Sequence, residues 1–207
     1  MIRKIKLAIL FFAFIFFFGS LFGQDRGQFP IVVSVFNSGS QLPGTGTLGI
    51  FTSPIHPGIS IGSEYTYNFH PSHQWFQTAN LGYFFHQYAQ HGIQLYSEIG
   101  YRYWFKNGFH FGPLLGIGYL HSIPDTDIFK LDSQGKYQKK TNLGRPQFLA
   151  DFAFNIGYQF SKENPFSIFM KYQTFFQMPF VNKYVPILPN TALHIGFTFN
   201  PFVKHEK

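Results

Sequence analysis

The chain has 207 residues, a length that suits one domain, and no Cys, which excludes a disulfide scaffold and any Cys-based metal site. Aromatic residues make up 21% of it, 30 of them Phe, against only 12% charged residues and a net charge of +7, so the chain is not of the disordered class. A mean hydropathy of −0.03 is too low for a bundle of membrane helices, yet the aromatic load is high for a soluble domain. Both follow if lipid-facing and lumen-facing residues alternate along strands.

The first segment reads as an address. Arg3, Lys4 and Lys6 precede the unbroken apolar run 7–18, and Gly19, Ser20 and Gly23 are small residues near a cleavage point. The run is short of the roughly 20 residues a spanning helix needs. The expected boundaries are a signal peptide over 1–23, a lead-in over 24–44, a barrel over 45–200 and a tail over 201–207. The basic residues of the leader leave with it, so part of the net charge does not belong to the mature chain.

After the leader a two-residue period dominates. Thr45–Thr52 is the expected first strand and Ile31–Phe36 is its rival. Gly58–Phe69 places Ile59, Ile61, Tyr65, Tyr67 and Phe69 on one face and Ser60, Gly62, Glu64, Thr66 and Asn68 on the other. Trp75–His86 follows less cleanly. Ile93–Phe105 sets Ile93, Leu95, Ile99, Tyr101, Tyr103 and Phe105 against Gln94, Tyr96, Glu98, Gly100, Arg102 and Trp104. Phe109–Leu120 contains Pro113, which donates nothing to a ladder, so a bulge is expected there. Phe148–Phe160, Phe166–Gln177 and Thr191–Phe199 complete the set. Each matches the roughly 9–11 residues of a spanning strand or slightly exceeds it. The turns 70–74, 106–108 and 161–165 fall at one end; 87–92, 122–146 and 179–190 fall at the other.

A soluble barrel with this alternation would point its apolar faces inward and its polar faces outward; the polar face here holds Glu64, Glu98, Arg102, Asp151 and Lys171, ions that are tolerable when paired across a polar lumen. An outer face nearly free of charge suits lipid. The fold class is therefore all-β: an antiparallel up-and-down transmembrane barrel of about eight strands. Eight strands leave a lumen that side chains fill, so no continuous channel is expected.

On this pattern the chain resembles the small eight-stranded outer-membrane barrels of Gram-negative bacteria, the OmpA/OmpX-like proteins, over roughly residues 45–200. The resemblance implies a bacterial outer-membrane location, short periplasmic turns and longer external loops. It also implies outer-membrane lipid and lipopolysaccharide as neighbours, and recognition of a final aromatic, Phe199 or Phe202, by the barrel-assembly machinery. A monomer is expected, with no nucleic-acid partner and no cofactor.

Three constellations stand out. Glu64, Glu98, Arg102, Asp151, Lys171 and His194, with His110, fall on inward positions as a lumen polar network that fixes register. His56, His86, His91 and His121 fall at the external mouth and are candidate metal ligands, although their spacing fits no metal motif. Some small outer-membrane barrels are lipid-modifying enzymes that use a His with a Ser and a carboxylate; His121, Ser122 and Asp125 supply those types. Adjacent strand residues point to opposite faces, so His121 and Ser122 diverge unless the strand has ended. There is no G-x-S-x-G motif. The segment 122–146 holds Lys130, Lys136, Lys139, Lys140 and Arg145 against Asp125, Asp127 and Asp132, a surplus of base suited to lipopolysaccharide phosphates. The expected role is structural or surface-interacting. The alternatives are a lipid A or phospholipid deacylase or acyltransferase, and a narrow pore.

Overall fold

The computed structural model describes residues 29–40, 55–68, 70–132, 135–140, 143–160, 165–180 and 184–201. The expected signal peptide, Thr45–Thr52, Phe69 and Phe202 lie outside them. The strands are β1 (Ile31–Gly39), β2 (Pro57–Thr66), β3 (His73–His86), β4 (Gln90–Trp104), β5 (Phe109–Pro124), β6 (Ile128–Leu131), β7 (Tyr137–Lys140), β8 (Arg145–Gln159), β9 (Phe166–Met178) and β10 (Leu188–Phe199). Eight of them close a barrel in the order β1-β10-β9-β8-β5-β4-β3-β2, and β6 pairs with β7 in a separate ribbon.

The closing contact joins the chain's first described strand to its last. β1 and β10 run antiparallel from Ile31 opposite Phe199 to Gly39 opposite Thr191. On its other side β1 pairs with β2 from Ile31–Ser63 to Asn37–Pro57. The strand supplied by the early region is therefore the rival segment, and the barrel begins upstream of residue 45, inside the expected lead-in. The physical reason is legible afterwards: Ile31 to Phe36 is rich in β-branched residues, whereas 40–49 carries several Gly and a Pro.

Both chain ends of the barrel, Ile31 and Phe199, lie at one end, called here the terminal end, with the described residues 67–68, 70–72, 105–108, 160 and 165. At the opposite loop end lie the described residues 40, 55–56, 87–89, 125–132, 135–140, 143–144, 179–180 and 184–187. The β3–β4 connection is tighter than expected. Ladder pairs run to His86–Gln90, leaving three residues to turn with Tyr88 at φ 62°. The ribbon β6–β7 inside the long connection was not foreseen, because its strands are only four residues each. Asp132 shapes its turn by accepting from the Lys136 N–H at 2.9 Å and from Gln138 at 3.0 Å.

The alternation holds on every barrel strand. Val35, Ile59, Ile61, Leu81, Leu95, Ile99, Leu115, Ile117, Phe152, Ile168, Met170 and Ile195 are exposed on the outside. No outward position of the eight strands is Asp, Glu, Lys or Arg. The polar outward residues find each other, as Gln77 does in donating to Ser97 at 2.9 Å. Tyr65, Tyr67, Trp75, Tyr101, Tyr103, Phe105, Phe111, Tyr158 and Phe166 ring the terminal end, several in edge or tilted contact. An apolar belt with an aromatic girdle is the surface of a barrel that spans a bilayer.

The expected bulge at Pro113 does not form. Gly112 is buried, Pro113 exposed and Leu114 buried, so facing is unbroken. The β4–β5 register is the same at Gly100–Leu114 and Tyr103–Phe111. Between them the ladder lapses without slipping. Gly112 allows this, since a Cβ there would lie 1.7 Å from the Tyr101 carbonyl oxygen. Close backbone approach takes the place of an inserted residue.

Glycine also shapes the lumen. Gly58 sits opposite Phe36, Gly92 opposite Phe84, Gly100 opposite Phe76, and Gly196 opposite Phe169. In the first three, a Cβ on the glycine would come within 2.2–2.4 Å of the ring. Each missing side chain is the floor on which a neighbouring aromatic ring lies, which is how a narrow lumen accommodates large rings. Gly100→Val is therefore expected to displace Phe76 and destabilise the barrel by about 1–3 kcal/mol. Urea unfolding in lipid vesicles, read against Ala79→Val on the lipid face, measures it; equal stability of the two variants would contradict the packing account.

Candidate functional site in the lumen and at its mouth

The lumen is stacked in layers. Nearest the terminal end, Arg102 donates to both carboxylate oxygens of Glu64 at 2.7 Å. The Arg102 guanidinium lies 4.1 Å over the Phe76 ring. Trp104 packs against His110 at 4.1 Å between centroids and donates its indole N–H to Gln74 at 2.7 Å. The fork of Arg matched to a carboxylate, with an aromatic face beneath, holds the cation in one geometry.

At mid-barrel Lys171 donates to both oxygens of Glu98 at 2.9 and 3.0 Å. Glu98 also accepts from Asn80 at 3.0 Å and from Thr78 at 3.2 Å. These contacts join β9 to β3 and β4 across the lumen. Asp151 lies beside Glu98, both reaching over Gly116. His194 is buried; its Nδ1 is 3.1 Å from the Ser34 hydroxyl, its Nε2 is 3.1 Å from Gln173 Oε1, and its ring stacks on Phe36. All six expected lumen residues face inward. Glu64 takes Arg102 and Glu98 takes Lys171, while His110 and His194 make neutral-type contacts with rings, Ser and Gln.

Toward the loop end the lumen becomes apolar and then amide-rich. Phe36, Phe84, Tyr96, Leu120, Leu149, Phe175 and Ala192 form one buried cluster across the bore. Beyond it, Gln90 donates to Gln177 at 2.9 Å, Gln177 to Gln147 at 3.2 Å, Asn190 to Gln177 at 3.0 Å and Gln147 to the Pro179 carbonyl at 2.9 Å. Ser122 donates to Gln90. Reading charges alone passed over this seal. Its signal was the recurrence of Gln at inward positions four apart, 90 and 94 on β4, 173 and 177 on β9.

Below the seal a cavity of about 400 Å³ runs from Glu98 and Lys171 to the rim residues Pro30, Thr66, Pro165 and Asn200 at the terminal end. The lumen is thus a blind recess beneath a packed upper half.

The mouth residues separate into two sets. His56 and His86 stack face to face, with centroids 3.6 Å apart and planes 14° apart, and His56 Nδ1 lies 3.0 Å from the Ser38 carbonyl. His91 and His121 point outward. His91 Nδ1 lies 2.8 Å from the Tyr83 hydroxyl and its Nε2 is 3.3 Å from Asp125. His121 Nδ1 lies 2.7 Å from Tyr119 and its Nε2 is 2.8 Å from the Leu143 carbonyl. Among the described residues, no group of three or more His, Asp or Glu gathers as a metal site. The residues His121, Ser122 and Asp125 are not brought together either. Ser122 is buried inward on Gln90, His121 faces outward, and Asp125 contacts His91 and accepts from the Tyr88 N–H at 3.0 Å. β5 continues to Pro124, so the strand has not ended where those side chains would have to converge.

No family model and no curated protein matches the chain. Among solved structures it is similar to Neisserial surface protein A, at 10% identity and a TM-score of 0.47, over 83% of this chain and 96% of that one. It is similar to the outer membrane enzyme PagL at 8% identity and a TM-score of 0.48, over 83% and 99%. It is similar to Ail, the attachment invasion locus protein of Yersinia pestis, in complex with the heparin analogue sucrose octasulfate, at 12% identity and a TM-score of 0.45, over 84% and 99%. At these values no residue role passes from them to this chain.

Two outcomes test the layered lumen. Lys171→Met strands the Glu98 carboxylate and is expected to cost about 3–5 kcal/mol, while adding Glu98→Met recovers most of it; chemical denaturation of both variants decides. Phe84→Ala combined with Phe175→Ala thins the seal, and steady conductance in planar bilayers should appear where the parent protein shows none.

Proposed function

We propose that this chain is a monomeric bacterial outer-membrane barrel whose working surface is its loop end, with a structural or surface-interaction role. In this reading the terminal end faces the periplasm and the loop end faces outward. Lipid surrounds the charge-free belt, and the barrel-assembly machinery inserts the chain. The observation that carries the reading is the sealed upper lumen. A bore closed by Phe36, Phe84, Phe175 and Leu120 beneath a glutamine layer speaks against transport and leaves the external surface as the place of action.

The ribbon β6–β7 and its flanks form that surface. Lys139 is held by Asp127 at 2.8 Å, and Asp132 is committed to the turn, so part of the basic surplus is spent internally. Among the described side chains Lys136 and Arg145 remain for phosphate groups of lipopolysaccharide; Arg145 also lies 5.1 Å over the Phe180 ring. Charge-assisted contacts of this kind weaken with salt.

A lipid-modifying enzyme is the second reading. His121, Ser122 and Asp125 are too dispersed to serve it. The run of contacts Asp125–His91–Tyr83 at the mouth is the arrangement it would have to use. One experiment separates the two: mass spectrometry of membrane lipids from cells with and without the protein, alongside lipopolysaccharide binding by the parent and by a chain with residues 126–143 replaced with a short linker. An unchanged lipid profile, with binding lost in the replacement while the barrel still shows heat-modifiable migration, is the expected result. A changed acyl pattern that His91→Ala abolishes would replace this proposal with the enzymatic one.

A further inference from the structure

The recess beneath the seal has features that register fixing does not require. Its volume of about 400 Å³ is within the range of small-molecule sites, about 300–1,000 Å³. Its cations are already matched: Arg102 is held by Glu64 through two bonds, and Lys171 by Glu98 through two more. Asp151 stands beside Glu98 but does not line the recess, so a charged guest would have to break one of these pairs or find no counter-ion in the wall, either of which is costly. An uncharged guest meets no such barrier.

What the lining has left over is a donor, an acceptor and one ring nitrogen, His110 Nδ1, that serves as either. Arg102 Nε is buried without a hydrogen-bond partner, and so is Asn155 Oδ1. Both residues line the recess. A hydroxyl group both donates and accepts, so a polyhydroxylated molecule supplies the complement of each. Gln159, Ser167 and Thr198 add further groups of the same dual character around the wall. Phe76, Trp104 and Phe169 contribute apolar area, in the mixture of apolar wall and few placed polar groups that small-molecule sites show.

We propose that the terminal half of the lumen is a binding site for a small uncharged polyol, of the size of a monosaccharide. The site is blind, so the guest enters and leaves by the same end and is retained, not transported. The inference rests on the reading of the chain as a barrel with a sealed upper lumen.

The chain contains its own reporter. Of its two Trp residues, Trp75 faces outward and Trp104 lines the recess. A Trp75→Phe protein, folded in detergent micelles and confirmed by heat-modifiable migration, is titrated with glucose, N-acetylglucosamine and myo-inositol. Gluconate and glucosamine serve as charged counterparts. The expected result is a saturable change in Trp104 emission with at least one neutral probe, a weaker response to both charged ones, and a loss of affinity of about tenfold or more in Asn155→Leu. Ser167→Phe, which fills the recess from its rim, is the second variant and should abolish the response should Asn155→Leu not fold. Failure of all three neutral probes to give a saturable signal means that the recess holds water only and overturns the proposal. A charged probe binding as tightly as its neutral counterpart overturns the ligand class, and a response unaltered by Ser167→Phe overturns the location. Loss of heat-modifiable migration in the parent protein would instead remove the barrel reading beneath it.

Discussion

A chain that crosses a bilayer as strands must satisfy every backbone N–H and C=O within itself, because lipid offers no partner. The pairing of β1 with β10 meets that demand. It joins the two ends of the described barrel over nine residue pairs and removes both free edges. Closure then dictates the rest. Once the sheet is shut, each residue faces either lipid or a narrow bore, and the two environments tolerate opposite chemistries. The outward positions carry no Asp, Glu, Lys or Arg, and the inward ones collect Glu64, Glu98, Arg102, Asp151 and Lys171.

A bore of eight strands is too narrow to leave side chains unpaired at will. Its contents are sorted along the axis: ion pairs and a recess below, rings in the middle, amides above. The rings fit because glycines lie beneath them on neighbouring strands, as Gly92 does under Phe84 and Gly100 under Phe76. The ion pairs bridge strands distant in sequence, so they pin the register of the wall as well as filling it. Glu98 alone touches side chains from β3 and β9. These arrangements turn a tube into a solid plug at one end and a recess at the other, and that asymmetry underlies both functional proposals made above.

Connections at the two ends differ for a related reason. Those at the terminal end have only to reverse the chain, as at Asn107-Gly108, where Gly108 adopts φ 87°. The loop end is where the chain adds material, as it does in the ribbon β6–β7. The same end holds the two histidine environments. One pair is stacked inward, and two single histidines are tied to tyrosines on the outer rim.

Much of this was legible in the sequence. The period of two, sustained over Gly58–Phe69, Ile93–Phe105 and Phe148–Phe160, determined strand type, the face of each residue and hence the identity of the lumen charges. Side-chain direction in a strand depends only on parity, so no long-range information was needed. What parity does not carry is which residues meet across the bore. That Arg102 takes Glu64 while Lys171 takes Glu98 and that Phe36, Phe84 and Phe175 form one seal depend on stagger between strands far apart in the chain; that Pro113 is absorbed by Gly112 without a bulge depends on the close approach of the neighbouring strand β4. The choice of β1 over Thr45–Thr52 belongs to the same class, whereas His121 and Ser122 diverge by parity alone once β5 is known to run on to Pro124. The contacts across the bore and the choice of first strand were decided by closure, the one constraint that exists only once all eight strands are in place.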